Sequence, residues 1–340
     1  MSVMAGKRSL SDRTLNRLII VAGLVLLVGV PAVAAIYWLD RNVDAGPSLV
    51  DRSIATAEEA VRLSPNLLSA RLALAGDYLA AKRFTDALTQ YNEVLRADAK
   101  NKAALMGRGK TQLGLANAGA ARADFQAVVD AAKDTDLETS DPQVEEALYN
   151  LGSLDLKENR PADAVAALEQ ALTIDRADAD ASYLLGMAYL QTNQPADAVS
   201  ALRWAVAFVP MGWCEPYAAL TQAYTAANQA DGVQYATGMV AFCEGRFADA
   251  TTALQPLATS ATLGKDALLG LGLVAEGQGA MDQALSYYQQ VLALDPTDFN
   301  AGAGLKRLAS AAPASSAAPP PASGSPAAPG SSPSALKGSN

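Results

Sequence analysis

The chain has 340 residues, half of them apolar, and a formal net charge of −9 at pH 7. It contains no histidine, which removes the commonest general base and metal ligand and excludes a c-type haem attachment site. Alanine and leucine dominate, whereas aromatic residues make up only 6% of the chain. This composition favours helices over strands.

An uncharged apolar segment, Leu18 to Trp38, is long enough to cross a bilayer core of about 30 Å. Four basic residues precede it: Lys7, Arg8, Arg13 and Arg17. The positive-inside rule then predicts a cytoplasmic N-terminus over 1–17 and a single transmembrane helix over 18–38. The rest of the chain is expected on the extracytoplasmic side of the plasma (inner) membrane.

A cleaved signal peptide is the alternative interpretation of this segment, because Ala32-Val33-Ala34 has the pattern of a signal-peptidase site. The apolar run continues past that site through Tyr37 and Trp38, which favours an anchor that is not removed. In both cases most of the chain is exported.

The charge is unevenly distributed along the chain. The segment before Asp40 carries four basic groups against Asp12, a net charge of +3, so the remainder has a net charge of −9 − 3 = −12. An acidic exported region is a poor ligand for nucleic acid or for anionic lipid headgroups. We therefore predict no nucleic-acid partner and contact with the bilayer through one helix only.

Pairs of small residues twelve positions apart return six times along the chain. The pairs are Ala75/Ala87, Gly109/Ala121, Gly152/Ala164, Gly186/Ala198, Gly238/Ala250 and Gly272/Ala284. The spacings between successive pairs are 34, 43, 34, 52 and 34, and a two-helix pattern surrounds each pair. This arrangement resembles the tetratricopeptide repeat (TPR) family, whose period is 34. The resemblance implies an all-α solenoid of stacked helical hairpins.

The solenoid is predicted over residues 47–309. Its repeats are expected at about 68–101, 102–135, 145–178, 179–212, 231–264 and 265–298. The spacing of 52 exceeds one repeat by the length of a helix with its turn, which predicts an extra helix over 214–230. A single helix precedes the array, a capping helix over 298–309 closes it, and the Pro/Ala/Ser-rich residues 310–340 are predicted to be disordered.

Family resemblance also suggests where a partner binds, since the first helix of each TPR hairpin lines the concave face. The positions that this resemblance places on that face are Leu72, Leu79, Met106, Lys110, Leu113, Tyr149, Leu156, Tyr183, Met187, Leu190, Tyr235, Met239 and Phe242. A groove rich in Leu, Met and Tyr suits extended or helical segments of other proteins. In the alternative interpretation, many of these side chains only pack neighbouring repeats.

Cys214 and Cys243 are the only cysteines. One begins the extra helix and the other ends the next, antiparallel helix, so the two thiols are expected at the same end of a hairpin. We therefore predict a structural disulfide between them, because such a bond persists outside the cytoplasm. Two buried free thiols or a redox-active pair are the alternatives.

The sequence contains no arrangement typical of a catalytic, metal or cofactor site. Its carboxylates are scattered over predicted helix surfaces and turns, and no glycine-rich phosphate loop follows a strand. The chain also resembles bacterial membrane-anchored TPR proteins in layout, some of which assist the secretory translocon while others serve cytochrome c maturation. We therefore predict a non-enzymatic, membrane-tethered scaffold or chaperone-like adapter for an envelope assembly. The alternative is a structural peripheral subunit of one stable membrane complex.

Overall fold

A computed structural model describes residues 29–33, 48–133 and 140–311 of the chain. Every regular element within these residues is helical. The predicted cytoplasmic segment 1–17 and all of the predicted transmembrane helix except the helical residues 29–33 fall outside the described residues, as does the tail from 312 onwards. Among the helices that the structure does describe, none has the length and apolar character needed to cross a membrane.

The helices group into two compact units, residues 1–138 and 139–340, which we call the N-terminal and C-terminal units. In the N-terminal unit the described helices are α1 (Leu49–Leu63), α2 (Leu68–Ala80), α3 (Phe84–Ala97), α4 (Lys102–Gly114) and α5 (Ala118–Ala132). Ser48 caps α1 with a capping box, in which its hydroxyl accepts from the Asp51 backbone N–H and the Asp51 carboxylate accepts in return. The pairs α2/α3 and α4/α5 are the first two predicted repeats.

The C-terminal unit contains ten α-helices within its described residues. They are α6 (Pro142–Lys157), α7 (Pro161–Ile174), α8 (Ala179–Gln191), α9 (Pro195–Phe208), α10 (Glu215–Ala226), α11 (Ala230–Cys243), α12 (Phe247–Leu254), α13 (Gly264–Gly277), α14 (Met281–Leu294) and α15 (Phe299–Ala311). A 3-10 helix, Gln255–Thr259, follows α12 directly. The predicted second helix of repeat five breaks here because Pro256 has no N–H to continue the α-helical ladder.

A left-handed residue makes the turn inside each helical hairpin. The residues with this conformation are Lys82, Ala116, Asn159, Asn193, Asn228, Gly245 and Gly279, with φ between +56° and +75°. The backbone N–H of the residue after each one bonds to a carbonyl in the last turn of the preceding helix, as from Arg160 to Asp155 (2.8 Å). Asn and Gly tolerate this conformation best, which accounts for five of the seven positions.

Small residues allow the two helices of a hairpin to approach closely. A Cβ atom added to Gly109 would lie 2.6 Å from the Phe125 ring, and one added to Gly272 would lie 2.5 Å from the Tyr288 ring. Both rings are fully buried. The small position on the first helix and the large side chain on the second helix therefore fill one space together, which accounts for the small residue on the first helix of each pair.

A helix, α10, lies where the extra helix is predicted, and it forms a hairpin with α11. Asn228 joins α10 to α11 with the turn used inside hairpins, and Gly245 joins α11 to α12 with the same turn at the other end of α11. Helix α11 is therefore the second helix of one hairpin and the first helix of the next. We call this change of phase the α11 slip.

The disulfide between Cys214 and Cys243 lies at the α11 slip. It links the residue before α10 to the last residue of α11, with Cα atoms 5.9 Å apart. The two sulfur atoms meet because the antiparallel hairpin brings the start of α10 beside the end of α11.

Candidate functional site

The first-helix face of the N-terminal unit is formed by α2 and α4. Leu72, Leu79, Lys110 and Leu113 are half-buried there, so part of each side chain reaches solvent. Met106 is only 4% exposed and belongs to the core instead. It fails as a groove residue because its helical position turns it towards the packed interior of its repeat.

The first-helix face of the C-terminal unit is formed by α6 and α8. Half-buried apolar or aromatic side chains lie along it: Tyr149, Leu156, Tyr183, Met187 and Leu190. Trp213, from the loop after α9, packs edge-on against the Tyr183 ring with centroids 5.1 Å apart. We call this set, together with Trp213, the α6/α8 face.

The predicted groove residues on α11 do not extend the α6/α8 face. Tyr235 and Met239 are 5% and 1% exposed and belong to the main core of the C-terminal unit, which corrects their assignment to an open groove. Phe242 is half-buried and packs beside Phe247, with ring centroids 6.2 Å apart. The α11 slip is the physical reason, since it gives α11 a second hairpin partner where a regular first helix has one.

Tyr235 and Met239 instead form part of the wall of a cavity of about 420 Å³ in the C-terminal unit. Helices α9, α11 and α13 and the start of α15 surround it. Its apolar lining includes Val199, Val206, Leu269 and Leu273, and its polar lining includes Tyr217, Arg203, Lys265, Asp266 and Asp298. We call it the α9/α13 cavity.

Contacts that skip several helices close the α9/α13 cavity. Arg203 Nη2 on α9 lies 2.6 Å from Asp266 Oδ2 on α13. The Asn300 side-chain amide at the start of α15 donates to the Ala207 carbonyl at 2.7 Å. A regular solenoid places only neighbouring repeats in contact, so these links between residues 63 and 93 positions apart are a consequence of the α11 slip.

Ion pairs order the charged side of the cavity. Lys265 Nζ lies 2.9 Å from Asp295 Oδ2 and 3.1 Å from Asp298 Oδ2. Burial raises the pKa of Asp266, and the nearby Arg203 guanidinium opposes that rise. Asp298 also accepts from the Ala301 backbone N–H at 2.9 Å and so caps α15.

Sequence reasoning missed this cavity because its residues come from helices that a regular array would keep apart. A usable signal was present in the turn residues, since Asn228 follows Asn193 at nearly the repeat period. The pattern of small residues twelve positions apart did not reveal this hairpin, because Thr221 and Val233 occupy those two positions in α10 and α11.

A second perturbed group, Glu145, lies in the first turn of α6. Burial, followed by a hydrogen bond and repulsion from Asp178, raises the pKa of Glu145 to about 8. Two carboxylates share a hydrogen bond only when one of them is protonated. The Oε1 atom of Glu145 is buried and makes no hydrogen bond. Further carboxylates face it from Asp175 and Glu146.

We expect Glu145→Gln to remove a pH dependence of stability. Between pH 4.5 and about 8 the unfolded chain ionises Glu145 while the folded chain retains the proton, so wild-type stability falls as pH rises through that window. Gln donates to Asp178 without ionising, and the variant should gain ~1–2 kcal/mol over wild type across the window, a figure reduced for solvent screening. Urea unfolding at pH 5 and pH 9 measures the difference; an equal difference at both values would contradict the buried proton.

Within the described residues, no cluster of three or more Asp, Glu or Cys side chains has the geometry to hold a metal ion. The cavity and the two first-helix faces are therefore the surfaces of interest. The charged groups of the cavity are held in ion pairs, and much of its remaining lining is apolar.

Two sequence models described as tetratricopeptide repeat match the chain, one over residues 72–136 and 235–299 and the other over 155–208. Together they cover more than half of the 340 residues. Comparison with curated protein sequences gives no match.

Solved structures similar to this chain include several TPR proteins. MamA shares 25% identity with a TM-score of 0.45, covering 52% of this chain and 96% of its own. YrrB, described as a TPR protein with an unusual peptide-binding site, shares 16% identity with a TM-score of 0.48, and the match covers 58% of this chain and 97% of YrrB. PilW, described as a type IV pilus biogenesis factor, shares 20% identity with a TM-score of 0.41, and the match covers 71% of this chain and 99% of PilW.

Proposed function

Because the chain belongs to the tetratricopeptide repeat family, whose repeats imply a protein–protein interaction scaffold, we propose that it is a membrane-tethered adapter for an envelope assembly. In this proposal the α6/α8 face is the main partner-binding surface. The observation that supports it is a row of Leu, Met and Tyr side chains that are anchored at their base and partly open to solvent. Such side chains lose little conformational entropy when a partner covers them.

The mechanism of such an adapter is passive. Its helices hold the apolar side chains in fixed positions, and the partner segment supplies the surface that covers them. A membrane tether restricts the adapter to the bilayer surface, which raises the effective concentration of any partner in the same membrane. TPR scaffolds are generally non-enzymatic, and the proposal requires no chemical step.

Photocrosslinking tests the partner surface. A photoreactive amino acid replaces Leu156 or Met187 on the α6/α8 face, and Gln170, which is exposed on α7, provides the matched control position. We expect crosslinks to the same protein from Leu156 and Met187, identified by mass spectrometry, and none of that product from Gln170. Equal products from all three positions, or none, would contradict the α6/α8 face as the binding surface.

Co-purification separates the two scaffold roles. An adapter should recover several partners in amounts well below its own, whereas a structural subunit of one complex should recover a fixed set at equal stoichiometry.

Extraction of membranes with alkaline carbonate tests the membrane tether. The proposal of a tether is based on the uncharged segment 18–38 and the basic residues before it. The mass of the N-terminal peptide of the purified protein distinguishes an intact anchor from cleavage after Ala34.

A further inference from the structure

The α9/α13 cavity has the dimensions of a binding site. Its volume of about 420 Å³ falls within the range of about 300–1,000 Å³ that ligand pockets occupy. None of the α6/α8 face residues lines it, so the scaffold surface described above makes no use of it. The cavity is therefore a second place where this chain can receive another molecule.

An exposed aromatic pair extends the apolar wall of the cavity to the protein surface. Trp204 lines the cavity and is nevertheless 60% exposed, and it stacks on Phe208 with ring centroids 5.7 Å apart and planes 18° apart. Water contact over most of an indole ring is costly, and Trp is enriched where partners bind. Trp204 therefore gives the cavity an apolar rim at the protein surface.

The charges around the cavity favour a cation. Asp266, Asp295 and Asp298 supply three carboxylates, whereas Arg203 and Lys265 supply two cations, and Lys265 is shared between two of the acids. These five side chains carry one net negative charge, on the side of the cavity where Lys265 meets Asp295 and Asp298. Asp298 lines the cavity, and Asp295 lies beside it in contact with Lys265.

We propose that the α9/α13 cavity receives a partner segment in which one bulky apolar side chain stands next to a Lys or Arg residue. The apolar side chain enters between Val199, Met239 and Leu273, and the basic group pairs with the carboxylates beside Lys265. This inference rests on the proposed scaffold function and gives it a second contact of defined chemistry.

The chain itself carries one pair of this kind, Leu336-Lys337, in its C-terminal tail. These are the only bulky apolar residue and the only charged residue between positions 312 and 340. An occupant from the same chain would compete with a partner, so the experiment has to separate the two sources.

Fluorescence anisotropy with labelled peptides tests the proposal on the full chain in mild detergent. Three Gly/Ser peptides carry a single Lys-Phe, Glu-Phe or Lys-Ala pair. We expect the Lys-Phe peptide to bind about fivefold or more tightly than the other two, as one charge pair and one buried ring predict. Asp298→Asn should reduce the preference for Lys over Glu, while Asn still caps α15.

Cavity-blocking variants locate the binding. Leu269→Trp places a large ring in the cavity and should weaken Lys-Phe binding by about tenfold or more. Leu285→Trp is the matched control, because Leu285 is 40% exposed on α14 and does not line the cavity. Thermal unfolding of both variants establishes that each is folded.

Three results would overturn the proposal: equal binding of the three peptides, no detectable binding of any, or no effect of Leu269→Trp. The double variant Leu336→Ser/Lys337→Ser tests the tail. If it binds the Lys-Phe peptide more tightly than wild type, the tail occupies the cavity, and this result would also overturn the proposal of a partner segment there. Crosslinking from Met187 is independent of all these measurements. If Met187 crosslinks to a partner and the peptides do not bind as expected, the scaffold function stands and only the role of the cavity is overturned.

Discussion

Replacing Cys214 and Cys243 together with alanine is expected to lower the free energy of unfolding by about 3–4 kcal/mol. The disulfide joins cysteines at a sequence separation of 29, and the estimate is the loop-closure entropy that it removes from the unfolded chain. Urea unfolding of the oxidised wild type and the double variant measures the difference. The expected loss is large because the closed loop spans the whole α10/α11 hairpin.

Reduction provides the control for this prediction. Dithiothreitol should lower the urea midpoint of the wild type to that of the double variant and leave the double variant unchanged. Labelling of the unreduced native protein with a thiol reagent should find no reactive cysteine. Two labelled thiols, or a loss of stability below about 1 kcal/mol, would mean that the link does not form or that the unfolded chain is already constrained.

The position of the disulfide connects stability to the cavity. It ties both ends of the α10/α11 hairpin at the α11 slip, and α11 supplies Tyr235 and Met239 to the cavity wall. A solenoid is held only by neighbouring units, so a change of phase removes some of the regular contacts that stabilise it. We infer that the cross-link compensates for that loss at the place where the array departs from its period.

The helical array was predictable from the sequence because its pattern depends on local contacts. Gly109 and Phe125, or Gly272 and Tyr288, lie on the two helices of one hairpin, so the period in the small residues reflects packing inside each repeat. The boundaries of the helices follow from the same logic, with Pro161 at the first position of its helix and a left-handed Asn at the turn before it.

The cavity and the buried groove positions on α11 were not predictable in the same way. Arg203 meets Asp266, and Asn300 meets Ala207, only because the chain changes phase between Asn228 and Gly245. Assigning residues to the concave face by their position in the repeat assumes that the repeat period is unbroken. That assumption holds for Tyr183 on α8 and fails for Tyr235 on α11.

Arg108→Met in the N-terminal unit is expected to lower the free energy of unfolding by about 3–5 kcal/mol. Asp124 is 5% exposed, and its carboxylate accepts from Arg108 Nε at 3.0 and 3.1 Å and from Nη2 at 2.6 Å. Arg108 also donates from Nη1 to the Asn92 side chain on α3 at 2.9 Å, so one guanidinium links three helices. Its removal leaves a buried carboxylate without its counter-ion.

A double-mutant cycle separates the cost of the orphaned charge from the value of the pair. Arg108→Met combined with Asp124→Leu should recover most of the lost stability, because apolar side chains of similar size often replace a buried ion pair at little cost. Arg62→Met on α1 is the matched control, since Arg62 and Glu59 form an exposed pair and their loss should leave the urea midpoint unchanged. A double variant as unstable as Arg108→Met alone would show that packing around the guanidinium, rather than the buried charge of Asp124, holds α4 and α5 together.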